Sequence, residues 1–266
     1  MRRWTIRQLS ELVIYPVKSL AGISRPEMTL TSRGIAYDRE WMVVDEKGRF
    51  LTQRTLPRMA LVRTAIEDGA LVLSARGRSD LAVPLGGVDG DFVVVKIWLD
   101  KTRAVDQGDE AASWFSETLG VRCRLVRAHP DHLRKASRGG AAYAFADAYP
   151  LLVISEASLA DLNSRLDAPL PMNRFRPNIV VSGTAPYEED TWTRVRCGET
   201  AVRVRKPCVR CAIPTTDQET AERSREPLKT LAVYRSTAAG VTFGVNADYE
   251  GAGTISVGDG VELVDG

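Results

Sequence analysis

The amino-acid sequence predicts a mainly β fold with a few helices (α+β), in which short strands form barrel-like sheets. Most segments are short, rich in β-branched residues and bounded by Gly, Pro or Asp, as strands are. Tight-turn sequences such as Asp45–Gly48 and Glu67–Gly69 join neighbouring segments. A parallel doubly wound sheet is disfavoured, because helices do not alternate regularly with strands and no Gly-x-Gly-x-x-Gly or Gly-x-x-x-x-Gly-Lys-Ser/Thr loop occurs.

The predicted strands share β-branched residues and flanking turn residues. In chain order they are Ser10–Tyr15, Glu40–Val44, Ala60–Glu67, Ala70–Ser74, Asp91–Ile97, Thr102–Asp106, Arg122–Arg127, Asn178–Val181, Thr193–Cys197, Thr200–Lys206, Thr242–Asp248 and Gly253–Val257. Apolar residues at helical spacing predict a helix over Asp109–Leu119, ended by Gly120, and one over Ser155–Leu166 with its first residue as N-cap. A shorter helix is predicted over Glu226–Val233, with Pro227 at its first position.

Composition and charge exclude several classes of protein. With 266 residues, 44% of them apolar, the chain is long enough for one large domain or two small ones. A net charge of +2 argues against a nucleic-acid surface. No apolar run approaches the roughly 20 residues of a membrane span, and the N-terminal residues lack an export signal, so we expect a cytoplasmic protein. The polar stretch His129–Gly140 predicts a domain boundary near residues 120–140.

Reactive chemistry concentrates in Lys206–Asp217, where Cys208 and Cys211 stand among basic residues. An electropositive setting favours the thiolate, which is the form that attacks electrophiles and binds soft metals. One interpretation is a thioredoxin-like redox pair, which would lie at the start of a helix. Pro214 and two threonines follow instead, without a helical pattern.

A second interpretation is a structural zinc site, for which Cys123, Cys197, His129 and His132 are candidate further ligands. Both histidines stand in a polar loop, where solvated histidines are common, and the sequence has no second Cys-x-x-Cys pair. The third interpretation is a single thiolate bound to a redox metal centre. The residues alone leave all three open.

Six motifs occur in order along the chain: Ile14–Ser19, Asp38–Trp41, Ser155–Asn163, Asn173–Val181, Cys208–Asp217 and Val257–Asp259. Together they resemble the MOSC family, and within it the branch that contains the mitochondrial amidoxime reducing component and its bacterial homologues. Any one motif is weak evidence, whereas six motifs in the same order do not arise by chance.

The resemblance implies two β-barrel-like domains with a molybdenum cofactor (Mo-molybdopterin) between them. A MOSC N-terminal β-barrel domain is expected over residues 1–125 and a MOSC domain over 126–266, with residues 1–40 able to pack against the second domain. In this branch the second cysteine of the pair is the protein ligand to molybdenum, which corresponds to Cys211. Pyridoxal phosphate binding is also ascribed to the family as a whole.

The resemblance also implies the other site residues. Those expected to bind the cofactor are Lys18, Ser19, Arg39, Arg176, Asn178 and Asn246, and those expected to be catalytic are Cys211 and Asp147, the latter for proton delivery. Alternatives are a surface ion pair of Arg39 with Asp38 or Glu40, and capping of a strand edge by Arg176 and Asn178. Cys208 is interpreted as a small buried apolar group.

The function that the resemblance implies is a molybdenum-dependent oxidoreductase that removes oxygen from small N-hydroxylated substrates. No cysteine follows Cys211, so an iron–sulfur cluster held by the usual cysteine spacing is not expected there. Electrons would come from a separate protein: a ferredoxin, a cytochrome b5-like protein or a flavoprotein reductase. The alternative is a carrier of cofactor or sulfur that uses Cys211 as a persulfide. A zinc-stabilised binding module also stays open.

Other prominent residues have structural interpretations. The tryptophans Trp41, Trp98, Trp114 and Trp192 are predicted to pack in cores or between domains, because aromatic rings bury large areas. Phe175 is expected to anchor the segment that carries Arg176. The acidic group Glu188–Asp190 is predicted to be a solvated turn.

Overall fold

The computed structural model describes residues 6–86, 90–129, 131, 133–135 and 142–264. These ranges contain the α-helices α1 (Gly108–Leu119), α2 (Glu156–Asn163) and α3 (Leu228–Tyr234). The strands are β1 (Gln8–Ile14), β2 (Ile23–Arg25), β3 (Glu27–Thr31), β4 (Gly34–Ile35), β5 (Trp41–Asp45), β6 (Arg63–Glu67), β7 (Ala70–Ser74), β8 (Leu81–Pro84), β9 (Phe92–Ile97), β10 (Asp100–Asp106), β11 (Cys123–Ala128), β12 (Arg134–Lys135), β13 (Ala142–Tyr143), β14 (Leu151–Ser155), β15 (Ile179–Ser182), β16 (Arg194–Cys197), β17 (Thr200–Val209), β18 (Ser236–Thr237), β19 (Gly240–Glu250), β20 (Gly253–Ser256) and β21 (Val261–Leu263). The predicted mainly β fold with a few helices is confirmed.

The largest sheet has nine strands and uses both ends of the chain. Its order is β2-β1-β15-β14-β19-β17-β16-β21, with β18 paired to one end of β19. β14 and β15 are parallel and α2 connects them, whereas the other pairs of this sheet are antiparallel. Residues 8–25 therefore hydrogen-bond, through β1, to strands from the second half of the chain.

The first half of the chain supplies two smaller antiparallel sheets, β5-β11-β10-β9 and β6-β7-β8. Helix α1 packs against both, because its apolar residues recur on one face and bury Phe115 and Leu119 among Leu71 and Leu125. A third sheet, β20-β3-β4, packs against the nine-stranded sheet. Helices α2 and α3 bury Leu162 and Leu231 in a further core.

The predicted strands lie where the structure has strands, but most of their end residues differ. Every predicted strand overlaps an observed one, and Ala70–Ser74 has the predicted ends. The start of Ala60–Glu67 is wrong, because Pro57 opens a 3-10 helix that continues to Leu61. Strand β14, which pairs with both β15 and β19 in the middle of the largest sheet, was not among the predicted strands.

The helix predictions are confirmed with small changes at the ends. Gly120 ends α1 with a left-handed φ of 67°, as expected of a C-terminal glycine. The predicted N-cap Ser155 accepts a 3.1 Å hydrogen bond from the backbone N–H of Ser158. Helix α2 ends at Asn163 rather than Leu166, and Pro227 precedes α3 instead of forming its first residue.

The prediction that Glu188–Asp190 is a solvated turn is wrong for its central residue. Glu189 is fully buried in a 3-10 helix that covers Glu188–Thr191. Its carboxylate accepts bonds from the Ser158 hydroxyl at 2.8 Å and from the Ser155 backbone N–H at 3.1 Å. Buried carboxylates require such donors. Glu189 therefore fixes the start of α2 rather than facing solvent.

Candidate functional site

One cavity of about 440 Å³ is lined by residues from both halves of the chain. Every residue that the family resemblance assigned to the cofactor or to catalysis lines this cavity: Lys18, Ser19, Arg39, Asp147, Arg176, Asn178, Cys211 and Asn246. They stand in separate segments of the sequence, so the fold brings them together.

The pairing of β1 with β15 brings Lys18 close to Arg176 and Asn178. These strands are antiparallel and pair Leu12 with Ile179, so the C-terminal end of β1 lies beside the N-terminal end of β15. Lys18 follows β1, and Arg176 and Asn178 precede β15. Both segments therefore reach the same edge of the nine-stranded sheet.

The middle of the same sheet supplies another wall. Leu152, Asn246 and Lys206 are paired in one row across β14, β19 and β17. Register shifts interrupt β17 on both sides of Lys206, as β-bulges do near many sites. Gly244 has a φ of 70°, and a Cβ there would come within 2.8 Å of a β14 carbonyl oxygen, so this bend of β19 requires glycine. The irregular end of β17 leads directly to Cys211.

Arg39 forms an ion pair with Asp38, but the pair is largely buried rather than on the surface as the alternative had it, and Arg39 also lines the cavity. Its Nη1 donates to both carboxylate oxygens of Asp38, at 2.8 and 2.6 Å, and to Asn178 Oδ1 at 2.9 Å. The amide of Asn178 also donates to the Val13 carbonyl and to Asp38, and accepts from the Leu152 N–H. Burial raises the pKa of Asp38, while Arg39 opposes this. Both polar atoms of the Asn178 amide are thus bonded to other residues of the protein, and Asn178 Oδ1 holds Arg39 in place.

Arg39 and Arg176 stack on the same aromatic ring. Their guanidinium carbons lie 4.5 and 4.1 Å from the ring centroid of Tyr15. Arg176 is 8% exposed and donates to the Leu20 carbonyl at 2.6 Å, but it forms no ion pair with an acidic side chain of the described ranges. Burial lowers the pKa of Arg176 to about 10. A buried cation without a carboxylate partner is costly, and an anion in the cavity would neutralise it.

Asp147 connects Lys18 and Arg54 in the cavity wall. Its carboxylate accepts hydrogen bonds from the Lys18 ammonium and, at 2.9 Å, from Arg54 Nη2. Burial would raise the pKa of Asp147, but the charges of Lys18 and Arg54 hold it well below its usual range. Burial lowers the pKa of Lys18, and Asp147 offsets part of that effect. Asp147 is therefore ionised at neutral pH, and its predicted role in proton delivery requires Lys18 to carry the proton.

The two cysteines of the pair differ in their surroundings. Cys211 is half-buried. Burial would lower the pKa of Arg54, but the Asp147 carboxylate and the neighbouring Cys211 side chain raise it. Cys208 is half-buried as well, and Arg210 Nη1 donates to its sulfur at 3.2 Å. The interpretation of Cys208 as a buried apolar group is therefore wrong. The Nε of Arg210 is buried and has no hydrogen-bond partner among the described residues.

Arg54, Trp98 and Tyr149 line the cavity but were not predicted as site residues. Arg54 stands in a loop outside the recognised motifs, and Trp98 was predicted to pack in a core or between domains. Trp98 is 47% exposed and is therefore not a core residue, although it packs against Phe50 and bonds to Asp147 from the other half of the chain. Trp41 and Trp192 are buried as predicted. An arginine in a loop or a tryptophan in a turn does not by itself indicate a site. Phe175, in contrast, is fully buried and anchors its segment as expected.

The side chains of the cavity fit an anionic cofactor with a sulfur-bound metal. Six basic residues and one carboxylate line it: Lys18, Arg39, Arg54, Arg176, Lys206, Arg210 and Asp147. The buried Nε of Arg210 and the unpaired charge of Arg176 are donors that an anionic group would satisfy. The thiol of Cys211 is a soft donor on the same wall. This donor set suits the phosphate and the metal of molybdenum cofactor.

The remaining cysteines lie elsewhere. Cys123 and Cys197 are buried in two separate hydrophobic cores, and neither lines the cavity. Within the ranges that the structure describes, no three His, Cys, Asp or Glu side chains are grouped as metal ligands. His132, which the zinc interpretation included, lies outside those ranges. None of the described helices combines the length and the apolar character needed to cross a bilayer.

Comparison with known proteins gives two family matches, a MOSC N-terminal beta barrel domain over residues 6–122 and a MOSC domain over residues 141–262. Mitochondrial amidoxime-reducing component 1 of Mus musculus is 37% identical over 288 residues, which cover 99% of this chain and 85% of that protein. Molybdenum cofactor sulfurase of Oryza sativa subsp. japonica is 34% identical over 270 residues, which cover 91% of this chain but 32% of that longer protein.

Among solved structures, the YUAD protein of Bacillus subtilis covers 96% of this chain and 94% of its own, at 12% identity and a TM-score of 0.43. That similarity is too low to support an argument. The two domain matches and the relatives that align over nearly the whole chain agree with the motifs and with the mainly β architecture. The chain therefore belongs to the MOSC family, in the branch of the mitochondrial amidoxime-reducing components.

Proposed function

We propose that this protein binds molybdenum cofactor in the cavity and reduces N-hydroxylated compounds with electrons from a separate redox protein. The observation that carries the proposal is the position of the Cys211 thiol in a cavity with two incompletely partnered guanidinium groups, Arg176 and Arg210. The names of the amidoxime-reducing relatives support the reaction class. The net reaction adds two electrons and two protons to an N–OH group, breaks the N–O bond and releases water.

The bound cofactor would supply the two-electron redox chemistry and a coordination position for the oxygen of the substrate. Cys211 would hold the metal through its thiolate. Arg39 and Arg176 would bind the terminal phosphate group, because both are fixed on the ring of Tyr15 before any ligand arrives. This arrangement reduces the entropy that the arginines lose on binding.

Lys18 would donate one of the two protons, and Asp147 would orient the Lys18 ammonium. The Lys18 ammonium lies in the cavity wall and is held by the Asp147 carboxylate and the Phe145 carbonyl, the latter at 2.9 Å. Burial lowers the pKa of Lys18, which makes the ammonium a better proton donor than an exposed lysine. Asp147 would keep that ammonium oriented, in agreement with its own depressed pKa.

A carrier of cofactor or sulfur is the second candidate. Molybdenum cofactor sulfurase, of which the chain spans about a third, supports it through its name. Cys211 is half-buried beside the Arg54 guanidinium, a cation that would pair with a persulfide anion there. This function needs the same cavity but no turnover of an N-hydroxylated compound.

The decisive experiment is metal and pterin analysis of protein purified from a host that makes molybdenum cofactor. We expect near-stoichiometric molybdenum in the parent protein, none in Cys211→Ala, and a retained content in the matched control Cys208→Ala. Reduction of an amidoxime by the loaded protein with a reduced viologen dye then tests the reaction. Molybdenum without turnover would favour the carrier, and equal metal in the parent and Cys211→Ala would overturn the proposal.

A further inference from the structure

Trp98 occupies an unusual backbone position. It is the first residue of the two-residue turn between β9 and β10, because Ile97 pairs with Asp100. Its φ is 55°, and Leu99 does not share this left-handed conformation. A hairpin turn with a positive φ at its first residue favours glycine there, and a bulky side chain is strained. Strain of this kind is concentrated at functional sites.

The contacts of Trp98 hold its ring at the rim of the cavity. Its indole N–H donates to Asp147 Oδ1 at 3.2 Å, and the Arg54 guanidinium lies 4.8 Å from its ring centroid. Phe50 packs edge-on against the indole at a centroid distance of 5.1 Å. The ring lines the cavity and yet is 47% exposed. The ring therefore faces both the cavity and the solvent and is not part of a core.

A second aromatic residue lines the same cavity from the other half of the chain. Tyr149 lies in the loop that precedes β14, and the ammonium of Lys206 is 5.4 Å from its ring centroid. Each of the two rings thus has a cation near it, Arg54 beside Trp98 and Lys206 beside Tyr149. A ligand with a flat π-system could stack at this rim on the aromatic rings and on the planar guanidinium of Arg54.

We infer that Trp98, with Tyr149, selects flat and delocalised N-hydroxylated substrates by stacking at the rim of the cavity. The inference rests on the proposed function and names the substrate subclass and the residue that recognises it. A small aliphatic substrate offers only its N-hydroxylated group and no ring to stack, so it would bind with little help from Trp98. Contacts of the indole with Phe50, Arg54 and Asp147 offset the backbone strain at this turn, which glycine would avoid.

The test compares two probes with the same reacting group, benzamidoxime and acetamidoxime, on the molybdenum-loaded protein. Trp98→Gly removes the ring and suits the backbone of the turn, so the variant should unfold within about 4 °C of the parent protein. Trp98→Phe keeps a ring for stacking but loses the bond to Asp147. Leu99→Ala changes the neighbouring residue of the turn and is the matched control.

Two measurements are needed, the KM and kcat for each amidoxime and the dissociation constant of each from calorimetry without an electron donor. We expect Trp98→Gly to raise the KM and the dissociation constant of benzamidoxime by roughly fivefold to tenfold relative to those of acetamidoxime. Trp98→Phe should retain most of the preference and Leu99→Ala all of it.

The outcomes separate this inference from the proposed function. Turnover of both compounds with no effect of Trp98→Gly on their ratio would overturn the inference and leave the function intact. Preferential binding of benzamidoxime that depends on Trp98, without turnover of either compound, would support the inference and count against the function. Loss of kcat alone, or the same loss for both compounds, would assign Trp98 to orienting Asp147 and overturn the inference.

Discussion

Arg39 and Asn178 are joined by a 2.9 Å hydrogen bond across two segments that are 139 residues apart in the chain. The amide of Asn178 at once supports this guanidinium, the Asp38 carboxylate and backbone groups of two strands. The position of a cation in the cavity therefore depends on a residue whose own side chain is buried. Positioning of this type is expected where a ligand must meet preformed charges.

Replacing Asn178 with Leu should destabilise the protein by about 3 kcal/mol, because several buried polar groups lose their partner. Urea unfolding of the cofactor-free protein measures the change. Asn246→Ala is the control, since the half-buried Asn246 has no side-chain hydrogen bond to the described part of the chain and should lose less than about 1 kcal/mol. Equal losses in the two variants would contradict the role given to Asn178.

Arg176→Gln should have opposite effects on the cofactor-free and the loaded protein. The buried guanidinium has its pKa lowered to about 10 from 12.5, so its charge weakens the folded state by roughly 3 kcal/mol when no anion is present. A base with a lowered pKa imposes this cost at every pH below that value, so the gain in stability should be constant between about pH 6 and 9. Urea unfolding and molybdenum content measure the two effects, a more stable cofactor-free protein and weaker cofactor retention.

The control for that prediction is Arg165→Gln, which removes an exposed cation paired with Asp161. Its stability and its molybdenum content should both stay close to those of the parent protein. An Arg176→Gln protein that is less stable without cofactor would mean that the guanidinium is satisfied by the protein alone.

Asp147→Asn should move the alkaline limb of the pH–rate profile to lower pH. The Asp147 carboxylate raises the pKa of Lys18 against the effect of burial, so its removal lets that pKa fall further. Activity that needs the Lys18 ammonium is present below its pKa and is lost as the pH rises through it. Asp100→Asn, which disturbs an ion pair with Arg134, is the matched control.

Rates are divided by the molybdenum content of each sample. A change in the pH–rate profile of Asp147→Asn can then be distinguished from a loss of cofactor. An unchanged alkaline limb, with full metal content, would remove Lys18 and Asp147 from proton delivery. A limb that moves to higher pH would show that the sign of the Lys18–Asp147 coupling is wrong.

Glu189→Ala should be strongly destabilising although the residue belongs to none of the six motifs. Its loss leaves the Ser158 hydroxyl and the Ser155 N–H without their carboxylate acceptor inside the protein, at a cost of about 2–4 kcal/mol. Thermal unfolding measures this against Glu117→Ala, whose exposed ion pair with Arg78 should contribute little to stability. A shift no larger than that of Glu117→Ala would restore the interpretation as a solvated turn.

The sequence predicted best those helix ends that are fixed by interactions between neighbouring residues. Gly120 and Ser155 ended and started helices as expected, because caps act on adjacent backbone groups. Strand β14 was missed, since a buried strand in the middle of a sheet is fixed by its neighbours rather than by alternation. Pro57 was overlooked as a helix start inside a strand-like segment.

The candidate site was predictable only where motifs carried it. The residues assigned by resemblance meet in one cavity, which spacing in the sequence does not reveal. Arg54 and Trp98 come from a loop and a hairpin turn of the first half, and their importance depends on tertiary contacts with Asp147. The burial of Arg176 without an ion pair is likewise a property of the folded chain.

The placement of β1 between β2 and β15 has a consequence for how the protein is made. Residues 8–14 leave the ribosome well before their partner β15, which begins at Ile179. The nascent chain can pair one edge of β1 with β2, but the other edge stays open while residues 26–178 are synthesised, a situation that slows folding and invites aggregation. The cavity, which Lys18 and Asn246 line together, is complete only after translation past Asn246, and truncated chains would carry an exposed strand edge.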